Sequence, residues 1–130
     1  MGKLMVRMFS VYFPDSSHGD AHVEELYLQL TEACHEAKKE KHHVIIGGDF
    51  NAEAGSNPTA DYRDAIGKHG LARRNARGEW LRTWAETNRL VATNTHFKKP
   101  RKRKFTHTGT TGNRRQIDFI FISQSLRSSS

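Results

Sequence analysis

In Val44-Ile45-Ile46-Gly47-Gly48-Asp49-Phe50-Asn51 a β-branched run meets two glycines, then a carboxylate and an amide on either side of an aromatic ring. Three consecutive β-branched or valine side chains before glycine form a short buried strand. The glycines permit a bulge or the close approach of a ligand. A polar pair therefore emerges at the strand's C-terminal end. Asp49 and Asn51 are two apart, so on extended backbone their side chains leave the same face. A carboxylate beside an amide suits phosphoryl chemistry, with Asp orienting or deprotonating water and Asn donating to a developing anionic oxygen. The bland alternative is a turn in which both side chains bond backbone.

Upstream, Leu4 to Phe13 alternates in the manner of a strand and Pro14 stops it. Asp20 is expected to cap a helix whose stripe is Val23, Leu26, Tyr27, Leu30, Cys34 and Ala37, ending near His42. Cys34 lies on that buried stripe, as packing rather than as a nucleophile. Downstream, Ala52 to Arg74 carries four glycine or proline breaks and is expected to be an irregular surface stretch. A second helix is expected from about Arg77 to Asn88, burying Trp80 or Leu81 with Trp84 and Ala85. Strands are expected at Leu90 to Thr95, Phe105 to Thr108 and Ile117 to Ile122, with a hairpin turn over Gly109 to Gly112.

The last strand carries one anomaly. In Gln116-Ile117-Asp118-Phe119-Ile120-Phe121-Ile122 both faces are apolar except at Asp118. A buried carboxylate is costly, so Asp118 lies at an open strand end or is held by a specific donor. A catalytic or histidine-orienting carboxylate meets that requirement, and so does an ion pair with Arg114 or Arg115.

The 130 residues, 35% hydrophobic and 27% charged, suit one domain, expected to span residues 1–123 with a polar tail over 124–130. A single cysteine leaves no internal disulfide, and the expected setting is intracellular. No apolar stretch approaches the roughly 20 residues that cross a bilayer, so no membrane partner is expected. Charge is segregated: residues 1–66 hold 6 basic and 11 acidic side chains, whereas residues 67–130 hold 15 basic and 3 acidic. A basic half points to a polyanionic partner, DNA above all. The candidate phosphate contacts are Arg73, Arg74, Arg77, Lys98, Lys99, Arg101, Lys102, Arg103, Lys104 and Arg115. The run from Lys98 to Lys104 also fits a nuclear import signal.

Gly48-Asp49-Phe50-Asn51-Ala52, Asn75-Ala76-Arg77-Gly78-Glu79, Asn94-Thr95, Phe105-Thr106 and Gln116-Ile117-Asp118-Phe119-Ile120, in that order, resemble the endonuclease/exonuclease/phosphatase superfamily. The likeness is closest to the apurinic-type endonucleases of non-LTR retrotransposons and relatives similar to craniofacial development proteins. The resemblance implies an α/β fold, a partial two-sheet sandwich in which one sheet and its outer helices are largely represented. It implies that Asp49 activates water, that Asn51 and Tyr12 contact the scissile phosphate and that Asp118 orients a catalytic histidine. The implied activity is Mg2+-assisted phosphodiester hydrolysis, DNA nicking in the retrotransposon type. The family's domain is roughly twice this length. Its N-terminal half supplies an Asn and the metal-binding Glu, and a late Ser-Asp-His motif supplies the histidine. No residue here matches those positions, so the metal ligands are unassigned and the expectation is a fragment inactive alone, with self-association or a missing N-terminal half covering its open sheet. A non-catalytic basic nucleic-acid-binding module is the alternative.

Overall fold

The computed structural model describes residues 4–15, 19–97, 107–108 and 114–129, and for 107–108, 114–115 and 127–129 the backbone alone. Its order is β1 (Val6–Tyr12), α1 (Asp20–Lys39), β2 (His43–Asp49), α2 (Ala76–Thr87), β3 (Leu90–Ala92), a 3-10 turn (Thr93–Thr95), β4 (His107–Thr108), β5 (Arg114–Arg115), β6 (Asp118–Ser123) and α3 (Gln124–Ser129). Four strands make one sheet in the order β1-β2-β6-β3, and β4 pairs with β5 in a separate ribbon. β2 runs parallel to β1 and antiparallel to β6, which is antiparallel to β3. The connection between parallel β1 and β2 is α1, as a parallel pair requires. This is the α/β architecture expected.

Alternation along the strands separates two faces. Val44, Ile46, Phe119 and Phe121 are buried in one core with Tyr27 and Leu30 of α1 and Leu81, Trp84 and Ala85 of α2. Phe50, just past β2, is its hub, with ring centroids 5.2 Å from Phe13, 5.2 Å from Phe121, 6.3 Å from Phe119 and 6.4 Å from Trp84. Trp84 Nε1 donates to Thr31 Oγ1 at 3.0 Å, joining the two helices. The tryptophans are thus packing groups, Trp84 buried and Trp80 lying partly buried against the same core.

The other face carries the registered rows Met8-Ile45-Ile122 and Ser10-Gly47-Ile120. Met8 is 76% and Ile120 51% exposed, so that apolar face is largely uncovered among the described residues. Beyond Ile122 the row ends at Val91 in β3, which is fully buried.

Several expectations need correction. Asp20 is the first helical residue rather than the cap, which is Gly19 without a side-chain bond, and α1 ends at Lys39, before His42. The α2 cap is Asn75, whose side chain accepts from Gly78 N and satisfies a donor of the first turn. The strand from Leu90 stops at Ala92 because Thr95 Oγ1 donates back to Ala92 O at 2.7 Å and closes a 3-10 turn. The stretch 52–74 is irregular but not superficial. Ala52, Ala54, Ala60, Ala65 and Ile66 are buried, and long-range backbone bonds such as His69 N to Thr95 O at 2.8 Å supply the pairing a buried loop needs. Gln124–Ser129, expected as a polar tail, is helical, with Gln124 N donating to Arg89 O at 2.8 Å. Phe105, Thr106 and Gly109 to Gly112 lie outside the described residues.

Gly78 shows how tightly α2 seats on this loop. A Cβ added there would stand 1.6 Å from Glu53 O. Glycine to alanine inside an exposed helix ordinarily stabilises by up to about 1 kcal/mol. Here Gly78→Ala is expected to do the reverse, lowering unfolding free energy by about 1–3 kcal/mol through overpacking, read by urea denaturation.

Candidate nucleic-acid site

The sheet register gathers three of the four expected catalytic residues. Tyr12 of β1 pairs with Asp49 of β2, and Asp49 pairs with Asp118 of β6, so the three occupy one rung across adjacent strands. Residues opposite one another share a face, and this rung lies on the uncovered one, next to Ser10-Gly47-Ile120. Tyr12 is 79% exposed, its phenol presented to solvent. Asp118 opens its strand, which resolves the anomaly of a carboxylate in an apolar run: it stands half-buried at an end.

Two devices hold the rung. Gly48 has φ +141°, and a Cβ there would come 2.1 Å from Val11 O, so β1 and β2 approach at a distance only glycine allows. Phe50 N then donates to Ile117 O at 2.9 Å and Phe13 N to Asp49 O at 2.8 Å, fastening the end of β2 on both sides. Asn51 has φ +46°, a left-handed conformation that asparagine tolerates. Its backbone N donates to Asp49 Oδ1 at 2.8 Å, and its Nδ2 donates to Phe13 O at 2.6 Å. The turn reading of this motif is therefore realised in the fold. It fixes the Asp49 carboxylate through one oxygen and leaves Oδ2 without a hydrogen bond among the described residues. Asn51 is buried and tied to the β1 exit rather than projecting beside Asp49.

Asn94 is a residue whose role the sequence did not disclose. Its Nδ2 donates to Asp118 O at 3.0 Å and its Oδ1 accepts from Ile120 N at 3.2 Å, so one amide extends the ladder along β6. Asp118 is held from its own backbone. Gln116, two residues earlier, accepts from Leu71 N at 3.1 Å through Oε1, while its buried Nε2 has no partner among the described residues.

The expected phosphate-contacting arginines divide. Arg73 pairs with the buried Glu53 carboxylate at 3.2 Å, and Arg74 pairs with Glu79. Arg77 pairs with Asp20 at 3.2 Å, and its side chain is only 11% exposed. Arg77 thus joins the starts of α1 and α2. Burial pushes the Tyr27 hydroxyl far above its ordinary pKa, an effect partly offset by the Arg77 guanidinium. Lys98, Lys99, Arg101, Lys102, Arg103 and Lys104 lie outside the described residues, as does the Arg115 side chain.

A profile of the Endonuclease/Exonuclease/phosphatase family matches residues 4–130. The chain belongs to this family. Craniofacial development protein 2 of Bos taurus is 35% identical over 123 residues, 94% of this chain and 20% of that protein. The protein of the same name from Tragulus javanicus is 39% identical over 87 residues, 66% of this chain and 15% of its own length. The chain thus spans about a fifth or less of these relatives. No solved structure matches it significantly. Among the described residues no three or more His, Cys, Asp or Glu side chains form a metal-holding group. No described helix is long and apolar enough to cross a membrane.

Two measurements follow from the geometry. Like charges directly opposite on a sheet cost roughly 0.2–1 kcal/mol. Asp49→Asn, which keeps the Oδ1 acceptor for Asn51 N, is expected to raise stability by about that much in metal-free buffer, read as an upward shift of the thermal midpoint. Burial pushes the Cys34 thiol up to about 11. Its alkylation at pH 8 is expected to be about a hundredfold slower in the native protein than in urea, because little thiolate is present.

Proposed function

We propose that this chain carries part of the catalytic surface of a Mg2+-dependent phosphodiesterase, a DNA endonuclease of the retrotransposon type, and is inactive alone. The observation that supports this is the rung Tyr12-Asp49-Asp118, which register places on one open face. Tyr12 donates its phenolic hydrogen to a non-bridging phosphate oxygen. Asp49, fixed through Oδ1, uses its second oxygen to orient a water molecule for in-line attack and to take its proton. Asn51 acts one layer back, holding the Asp49 turn against Phe13.

Two carboxylates at an exposed strand end fit a hard, oxygen-seeking cation such as Mg2+, which takes one or two carboxylates and completes its shell with water and phosphate oxygens. Asp118 would hold it directly, and Asp49 through the water that its second oxygen orients. When bound, Mg2+ neutralises charge on the phosphate and the leaving oxygen. Catalysis would require further groups from outside the described residues.

DNA binding in the presence and absence of Mg2+ tests this reading without requiring turnover. A bare carboxylate facing a phosphate repels it. Asp49→Ala is therefore expected to bind duplex DNA about three- to tenfold more tightly than wild type in EDTA. On adding Mg2+ the wild type is expected to gain affinity and the variant to gain none. Identical Mg2+ responses would overturn the assignment of Asp49. In a plasmid-nicking assay the isolated chain and Asp49→Ala are expected to show equal, negligible activity.

A second reading rests on charge. Residues 67–130 hold 15 basic side chains against 3 acidic, which supports a non-catalytic nucleic-acid-binding module. In that case affinity falls steeply with salt and is indifferent to both Mg2+ and Asp49.

A further inference from the structure

A second site stands at the other end of β2, about 20 Å from the Asp49 rung given the rise of a seven-residue strand. There the ends of α1 and α2 and the end of β6 enclose a cavity of about 290 Å3. Its lining includes His35, Lys38, His42 and Arg89, together with the hydroxyls of Thr87, Ser123 and Ser125, and no aspartate or glutamate.

Basic residues at helix C-termini usually serve to cap carbonyls and offset the dipole. That explanation is already consumed here by backbone amides. Glu36 O and Lys38 O accept from Glu40 N and Lys41 N, and Ala37 O accepts from His42 N. In α2, Trp84 O accepts from the Asn88 backbone N and Nδ2, and Glu86 O accepts from Arg89 N. The side chains of His35, Lys38 and Arg89 consequently have no hydrogen-bond or ion-pair partner among the described residues, although they converge on one cavity.

His42 adds a fixed donor. Arg7 Nε donates to His42 Nδ1 at 2.9 Å, so Nδ1 is the acceptor and Nε2 carries the hydrogen. The cavity frame is rigid as well. Ser123 Oγ accepts from Val44 N at 2.7 Å, and Arg89 O accepts from Gln124 N at 2.8 Å, tying β2, β6 and the α2–β3 turn together. Arg89 is held at φ +54°, a conformation unfavourable for its residue type, at the mouth of this frame.

We propose that the cavity between Lys38, His42 and Arg89 binds a phosphate group, either free or as the terminal phosphomonoester of a small molecule. Two cations and two imidazoles in one concave frame whose lining holds no carboxylate suit a compact, multiply charged oxyanion, while the Ser123 hydroxyl is engaged by Val44 and the Ser125 hydroxyl by His43. The concave, half-open shape and its small volume favour a small ligand over a nucleic-acid duplex.

The test is an NMR titration of the labelled 130-residue chain with inorganic phosphate and, separately, adenosine 5′-monophosphate, in about 150 mM sodium chloride to screen surface charge. Saturable shifts centred on Val44, Arg89 and Ser123 are expected. Lys38→Gln combined with Arg89→Gln is expected to weaken binding at least about tenfold, and Lys38→Gln alone, at an exposed helical position, by about threefold. Tighter binding of the nucleotide would identify a phosphomonoester as the ligand, and equal binding would identify phosphate itself. Shifts that do not saturate, that persist in both variants or that centre on Asp49 and Phe50 would overturn the proposal. Because the readout is localised, that failure is independent of whether the rung at Asp49 hydrolyses phosphodiesters.

Discussion

The Phe50 ring, packed among Phe13, Trp84, Phe119 and Phe121, is the contact on which the remaining structure depends. It stands between Asp49 and Asn51, so the residue that anchors the core also sets the polar pair. With Phe50 directed inward, alternation turns Asp49 to the opposite face. The chain then leaves β2 through the left-handed Asn51, whose amide returns to the β1 exit. An aromatic cluster of this kind buries large apolar area and fixes ring geometry together. Core and candidate site are two sides of one short segment.

From this anchor the rung follows by register. β1 and β6 flank β2, and the two ladders place Tyr12 and Asp118 level with Asp49 although they are far apart in sequence. Gly48 permits the close approach on one side and Asn94 braces the other. The opposite end of the sheet is built differently. Capping amides satisfy the helix carbonyls there, and the basic side chains are released toward a cavity. The two ends of β2 therefore carry opposite charge character, carboxylates at one and cations at the other.

How much of this was legible in the sequence depended on whether the determinant was local. The strand at Val44 to Ile46 was readable as a β-branched apolar run, and the α1 stripe because burial repeats with the period of a helix. The cost of burying a lone charge narrowed Asp118 to an open strand end or a specific donor, and the strand's first position is where it stands. The interior position of residues 52–74 was not. Its buried members are mostly alanines, and its backbone bonds reach Thr95 and other distant partners, so no period encodes them. Arg77 was counted among phosphate contacts because composition registers charge but not the partner. Asp20, 57 positions earlier, reaches it only through helix packing. Asn51 was read as a phosphate ligand, and nothing in the sequence signalled that one hydrogen of its amide bonds Phe13 O. Asn94 had no local signal, since an amide that mimics a strand is visible only beside the strand it completes.

The pinned loop also bears on how the chain can vary in length. Ala54 bridges to Arg74, Asn57 N reaches Gly67 O, His69 N reaches Thr95 O, and Ala92 N reaches Ala65 O. Gly67 and Gly70 have no room for a side chain, since an added Cβ would stand 2.4 Å from Thr95 O and 2.3 Å from Gly55 O. Insertions or deletions within 65–75 would pull these anchors out of step. The exposed residues Pro58, Thr59 and Asp61, held by turn bonds ahead of the points where Gln124 and His96 bond Arg63 O and Asp64 O, can absorb a change of length. Among the described residues this is thus a stretch where a change of length is tolerated, and where a tag or reporter can be spliced in without disturbing either end of β2.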